Sequence, residues 1–423
     1  MTYKRIKISF IISLLLVLTA NLFSLSDSYS LSFADSYFSR AKASQALNWN
    51  PANIGEESYL DLPFLNTNIS LTNNLFDLDM NGISGKYLTD KDKEDILAEI
   101  DGSFVVDGSF RTLIFGVSDN NLAFSIGLNV LSSSKISEEF IRISLYGNET
   151  DNYHFNNSDL AYNLLSYTDI SAGMGGLKLD KIIPSLANSD LPEIEYGISA
   201  SLLTGIANVK SSSFTADYLA DIDSGLQTQA YLKQKEAFGG FGLKFNLSFN
   251  SQVNENLSLG MGFDNLLGFI TWTGKTRIRE KRYWIEDVYI SDLEEDILSD
   301  EDGVSDIDKY TTSLPVIYRF GSLYDFGKVD LSIDYSHTFN DNNYNLGRNS
   351  ISLATELKWI AKFPFQIGIK LGDGDNVVST AYGVTYKGNY FQTGIGLQVA
   401  DTILPGKSSK ALSFGIHTQL SLN

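Results

Sequence analysis

Large apolar side chains recur at every second position through much of this 423-residue chain. Leu122, Phe124, Ile126, Leu128 and Val130 alternate with Ala123, Ser125, Gly127 and Asn129, a period of two that separates an apolar face from a small or polar one. Phe241, Leu243, Phe245, Leu247 and Phe249 oppose Gly242, Lys244, Asn246 and Ser248, and Leu257, Leu259, Met261 and Phe263 oppose Ser258, Gly260 and Gly262. The pattern returns over Ile351 to Trp359, Phe365 to Leu371, Phe391 to Val399 and Leu412 to Leu422. Strands are expected near 59–72, 103–117, 121–133, 165–178, 193–209, 237–250, 257–290, 310–323, 327–339, 349–359, 365–372, 377–386, 390–399 and 411–422, fourteen in all.

A soluble sandwich alternates in the same way, so the polar face and the connections decide the class. The polar face is rich in Gly, Ser, Ala and Asn rather than Lys, Glu and Thr, which suits a crowded lumen better than open water. Short turns at Ser118 to Asn120, Ser251 to Asn256, Tyr324 to Phe326, Ile360 to Pro364 and Lys387 to Asn389 fall on one side. Long segments around 73–102, 134–164, 210–236, 291–309, 340–348 and 400–410 fall on the other, with Asp373 to Asn376 and Leu179 to Pro192 breaking the rule. Short inner turns, long outer loops and an even strand number describe a bacterial outer-membrane barrel. Trp272, Trp359, Tyr386 and Tyr390, near strand ends, are expected at the lipid headgroups. The expected fold is all-β: a fourteen-stranded antiparallel transmembrane β-barrel in the bacterial outer membrane.

The start of the chain agrees with export. Lys4, Arg5 and Lys7 precede an apolar run from Ile8 to Ala20, followed by small residues at Ser24, Ser26, Ser28 and Ser30. That order is a cleavable export signal, assigned to residues 1–26 with the cut between Ser24 and Ser30. The run is shorter than the roughly 20 residues of a helical span. No cysteine is present, so no disulfide or thiolate metal site is possible. Acidic residues number 51 against 32 basic ones, which makes nucleic acid an unexpected partner. The 26 Phe and 22 Tyr suit half-buried strands and interfacial girdles.

A barrel of this width cannot be filled by its own wall side chains. Residues 27–58 precede the first strand and are the expected plug. Within them Ala46-Leu-Asn-Trp-Asn-Pro-Ala-Asn-Ile-Gly55 turns at Asn50-Pro51, because proline fixes its own φ and restricts the residue before it. Leu47, Trp49 and Ile54 make this irregular stretch apolar, so it needs an enclosure. Trp49-Asn50-Pro51-Ala52-Asn53 resembles the Asn-Pro-Ala signature of the N-terminal hatch in the FadL-like outer-membrane transport family. Tyr87 to Leu97, Leu122 to Gly127, and Gly240 to Phe245 continuing through Leu257 to Trp272 are similar to an uncharacterised subgroup of that family. The resemblance implies a hatch at Trp49, Asn50, Pro51, Ala52 and Asn53 inside a barrel over 59–423, and passive transport of small hydrophobic ligands.

Little in the sequence points to catalysis. His154, His337 and His417 are far apart in the sequence, and neither a nucleophile elbow nor a phosphate or dinucleotide loop occurs. Asp334 and His337 fall on opposite faces of one strand. No enzyme activity, metal or cofactor is expected. Lys244, Asp330, Asp334, Glu356, Lys358 and Lys370 fall on the small-residue face, where they either pair across the lumen and with the plug or line a substrate route. Ser291 to Asp308 carries nine acids and no base, and lacks full calcium-loop spacing, so a solvated outer loop is expected. Asp90 to Ile100 places Ile96, Leu97 and Ile100 on one helical face, with Thr89 or Asp90 as cap. Two functional readings stand: a passive transporter of small hydrophobic compounds, and a structural or docking barrel that partners secretion or surface-assembly components.

Overall fold

The computed structural model describes residues 27–73, 87–100, 102–146, 152–185, 192–221, 225–288, 299–339, 349–372, 378–405 and 409–422. The expected export signal (1–26), the connection 340–348, Asp373 to Asn376 and residues 291–298 of the acidic run lie outside these. Among the described residues the chain forms a closed antiparallel barrel of fourteen strands. They are β1 (Tyr59–Asp61 and Asn66–Asn73), β2 (Ser103–Asp119), β3 (Leu122–Ser137), β4 (Leu160–Lys178), β5 (Ile194–Asp221) and β6 (Gly225–Ala237 and Gly240–Gln252). Then come β7 (Leu257–Asp264, Phe269–Trp272 and Arg277–Val288) and β8 (Ser299–Asp306, Tyr310–Ser313 and Val316–Asp325). The remainder are β9 (Val329–Phe339), β10 (Asn349–Leu357), β11 (Phe365–Gly372), β12 (Val378–Lys387), β13 (Phe391–Ala400) and β14 (Ala411–Ser421). Neighbours in sequence pair in space, and β14 closes on β1, with Tyr59 opposite Ser421 and Leu71 opposite Leu412.

The period-two pattern fixes which way each strand faces. On β9 and β10 Ile333, Ile351 and Leu353 are exposed while Ser332, Asp334, Ser352 and Ala354 are buried. Exposed Ile367, Ile369, Ile395 and Phe414 extend this apolar belt, and lipid is the medium in which such a surface costs nothing. The tightest turn, between β2 and β3, has Asn120 and Asn121 at φ 48° and 65°, the left-handed pair that joins two strands by two residues.

Four expectations change. The single long strand over 257–290 is three segments, interrupted at Asn265–Gly268 and Thr273–Thr276, where Asn265 and Lys275 adopt φ 57° and 44°. Within the expected outer segment 210–236, residues 210–221 and 225–236 are instead a strand ribbon, a continuation of β5 and β6 with Phe214 opposite Leu232. Part of the acidic run, Ser299–Asp306, is a fully exposed strand paired with Arg277–Trp284, where Arg279 lies 3.8 Å from Asp302. Half-exposed, that pair contributes about 0–1 kcal/mol.

The fourth correction concerns Trp272, which does not sit at the headgroups. It is 0% exposed on the inner face, with its Nε1–H donated to Thr312 Oγ1 at 3.0 Å. Gly205 and Gly240 make room, since a Cβ at either would meet the indole ring. Leu131, Leu165, Leu203 and Ile270 complete the cluster. Trp272→Ala should therefore destabilise the barrel by about 3–5 kcal/mol, the usual loss for truncating a buried aromatic. Loss of the folded band on unheated gels, followed against temperature, measures it; an unchanged midpoint would show that the cluster contributes nothing.

At the outer end, the helix Asp90–Ile100 buries Ile96, Leu97 and Ile100. Thr89 Oγ1 accepts the Asp92 N–H at 3.2 Å while the Asp92 carboxylate accepts the Thr89 N–H at 2.8 Å, a reciprocal cap. A second helix, Glu138–Tyr146, lies within the long outer segment 134–164, and Phe140 and Ile141 pack against the first helix's cluster.

Candidate functional site

Residues 27–58 run through the bore ahead of β1, and their path is set by one-turn elements. A 3-10 turn at Ser30–Phe33, a helical turn at Ala43–Ala46 and a 3-10 turn at Pro51–Asn53 are joined by reversals. Ala34, Asp35 and Ala43 hold positive φ of 50°, 65° and 52°. Non-glycine residues keep such angles only where the surroundings over-determine them. The surroundings here are the wall.

Asn50 bends the chain at φ −146°, ψ 83°, and Pro51 opens the following turn. The Asn50 and Asn53 side-chain amides both donate to the Phe38 carbonyl, at 3.2 and 3.4 Å, tying two passes of the segment together. The Ala52 N–H donates to Ser248 Oγ at 2.8 Å, and the Leu47 carbonyl accepts from Ser199 Oγ at 2.6 Å and Asn246 Nδ2 at 2.8 Å. Gly175 and Gly197 lie where any Cβ would overlap Pro51 backbone, so the wall is bare where the turn presses on it. Trp49, 2% exposed, donates Nε1–H to Asp27 Oδ2 at 2.8 Å and lies under the Arg319 guanidinium at 4.2 Å. Buried Leu31, Phe38, Leu47 and Ile54 supply the apolar part, about 1.5–3 kcal/mol per side chain removed from water.

Each of the six inward charges read from the sequence faces a partner. Asp330 binds plug residue Arg40 and, at 3.2 Å, Lys358, which also reaches Asp325 at 3.1 Å. Lys370 reaches plug residue Asp35 at 2.7 Å, and Asp334 accepts the Phe38 N–H at 2.7 Å. Glu356 binds Lys387 at 2.8 Å and Gln366 at 3.1 Å. Lys244 donates to plug residue Asn48 at 2.7 Å and lies 3.6 Å from Asp169. Four of them therefore join wall to plug directly.

Several partners were not picked out from the sequence. Asp169, Asp264 and Arg319 sit on inward positions of β4, β7 and β8, with Arg319 and Asp264 paired at 2.7 Å. The parity that found Lys244 would have found them. Asp61 receives Ser44 and Tyr29 of the plug and Gln419 of β14; its strand is too short to show a period. A cavity of about 30 Å³, room for one water, remains beside Asp27, Ser28, Asn48, Arg111 and Asp169. Burial there pushes the Asp27 carboxyl up from its ordinary range, against the opposing pull of Arg111 and of the Ser30, Trp49 and Tyr29 hydrogen-bond donors. His154 and His337 lie at exposed positions and His417 is buried at the wall, where its Nδ1 lies 3.4 Å from the Ser28 carbonyl.

The closed fourteen-strand barrel is a fold shared with FadL-type outer-membrane proteins. The chain shares this fold with a FadL homologue from Pseudomonas aeruginosa at a TM-score of 0.50 and 10% identity, over 95% of this chain and 100% of that one. It is also similar to the Ralstonia pickettii toluene transporter TbuX, at a TM-score of 0.48 and 12% identity over 93% and 100% of the two chains. The Pseudomonas putida toluene transporter TodX gives 0.45 and 9%, over 89% and 92%. No curated protein sequence matches. Residues 51–396 match DUF5723, a family of unknown function, and the chain belongs to that family.

Proposed function

We propose that this protein passes small hydrophobic compounds across the outer membrane passively, with residues 27–58 acting as a hatch. The observation that carries the reading is a fourteen-strand bore stoppered by a segment seated through non-covalent contacts alone, in a chain without cysteine. Such contacts are individually worth about 1 kcal/mol for neutral hydrogen bonds and somewhat more for charged ones, so the seat is reversible. Outward of the hatch, Leu131, Leu165, Leu203, Ile270 and Trp272 pack on one another as a buried apolar cluster, which apolar cargo would part on its way through. The turn at Asn50, Pro51 and Ala52 is the hinge on this reading, and Lys244, Asp330, Asp334 and Lys370 latch the hatch.

Vesicles containing the purified protein should take up a radiolabelled monoaromatic hydrocarbon faster than empty vesicles, and should not take up labelled glucose faster. Hydrocarbon uptake no faster than through empty vesicles removes the transport reading and leaves the docking barrel. Equal acceleration of both compounds would make it an unselective pore.

A further inference from the structure

We propose that the outermost part of β8, Ser299–Asp306, is a docking edge to which an extended cationic segment of another protein adds as a strand at the cell surface. The inference rests on the outer-membrane barrel and not on transport.

Beyond the apolar belt, β5 to β8 continue outward as one sheet: Ser213 lies opposite Lys233, Lys233 opposite Glu280, and Glu280 opposite Gly303. One margin of this sheet is closed. Tyr153–Phe155 pairs with Ala216–Tyr218 of β5, and Phe155 is buried against Phe140 and Phe214. At the other margin, Ser299–Asp306 pairs with β7 alone among the described residues, and all eight of its residues are exposed. β9 stops short of it. Phe339, the last residue of β9, lies opposite Val316, and Asp306 is ten residues farther out, roughly 30 Å along a strand. The nine residues between Phe339 and Asn349 have to go out and return, so they extend at most roughly 18 Å.

The main chain of this edge is presented to solvent at alternate positions. In an antiparallel pair, opposed residues alternate between exchanging both main-chain hydrogen bonds and exchanging neither. The Ile307 N–H donates to the Thr276 carbonyl at 3.0 Å, so the bonded pairs that follow are Ile278 with Ser305, Glu280 with Gly303 and Arg282 with Glu301. Asp300, Asp302, Val304 and Asp306 fall between them. Their N–H and C=O groups therefore point away from β7, a row of donors and acceptors in the geometry that takes up a further strand.

Side chains select the strand. The edge carries Asp300, Glu301, Asp302 and Asp306 and no basic residue, and β7 sets Arg277 opposite Asp306, Lys281 opposite Asp302 and Arg282 opposite Glu301. A basic row already flanks the acids on one side, and a basic row is what complements them on the other. A second copy of this edge would bring acid against acid, which destabilises a strand pair. The acids thus keep like edges apart while the backbone, with neither proline nor a bulge, stays open to a cationic one.

The purified full chain in detergent, titrated into fluorescent peptides of this strand's length, tests the assignment by anisotropy. A peptide alternating Lys with Thr should bind saturably. The same peptide N-methylated at alternate residues keeps its charge but loses backbone donors, and should bind about tenfold or more weakly, as should a peptide alternating Glu with Thr. Val304→Pro removes one outward N–H at a kind of position where edge strands tolerate proline, so the folded band on unheated gels should persist while Lys-Thr binding falls about tenfold. Absence of saturable Lys-Thr binding, or equal binding of the methylated or the acidic peptide, overturns the proposal. Undiminished binding by a folded Val304→Pro barrel does so as well. None of these readouts depends on whether a compound is transported.

Discussion

Oxidation of a Ser36→Cys, Ser332→Cys double variant should stop hydrocarbon uptake, and a reductant should restore it. The Ser36 and Ser332 hydroxyl oxygens lie 2.9 Å apart, one on the plug and one on β9, which is within reach of a disulfide after small side-chain adjustment. With no other cysteine in the chain, cross-linking is confined to this pair. The bond replaces a set of reversible contacts by one that thermal motion does not break, so uptake should fall by about tenfold or more if hatch movement is needed for passage. Single variants should behave as wild type. Full uptake through the oxidised form would mean that cargo travels without displacement of this part of the plug.

Gly197→Val should have the opposite sign. The first side-chain carbon at Gly197 overlaps the Pro51 carbonyl region, and what it meets is backbone rather than a flexible side-chain end. Overpacking of this kind typically costs about 1–3 kcal/mol, comparable to the few hydrogen bonds that seat the turn at Ser248, Ser199 and Asn246. The plug should lift at that corner while the wall, whose strand pairing is unaffected, still closes. Conductance in planar bilayers should rise by about tenfold, with Gly197→Ala intermediate. Wild-type conductance in both variants would show that the plug can shift sideways without opening a path.

The barrel was legible in the sequence because period two is a property of the strand itself. Ile333, Leu353 and Phe414 needed no tertiary information to be placed outside, nor did Asp334 and Lys244 to be placed inside. At Trp272 two rules conflict. Counted from Leu257, position 272 has the parity of Gly260 and Gly262 and so faces inward, whereas aromatics near strand ends favour the interface. The β5 and β6 ribbon is not legible by period, since Ser211, Ser212, Gln227 and Gln234 are polar in a strand that leaves the membrane, where no apolar face is demanded. The second helix was hidden in the same way by its position within a long connection. At the plug, the Asn50-Pro51 turn was visible from proline chemistry, whereas its seating was not. Which wall residue meets which plug residue depends on contacts far apart in the chain, such as Ser248 with Ala52, 196 positions away, and Lys370 with Asp35, 335 positions away.

The pairing of β14 with β1 carries a consequence for biogenesis. Tyr59 finds Ser421 only after nearly the whole polypeptide has been made and delivered, so the wall is left with two raw hydrogen-bonding edges until the last strand arrives. Contacts of such long sequence separation form slowly. A message truncated before Ala411 would therefore yield an unsealed sheet, sticky along both margins and exposed to degradation, rather than a slightly smaller pore.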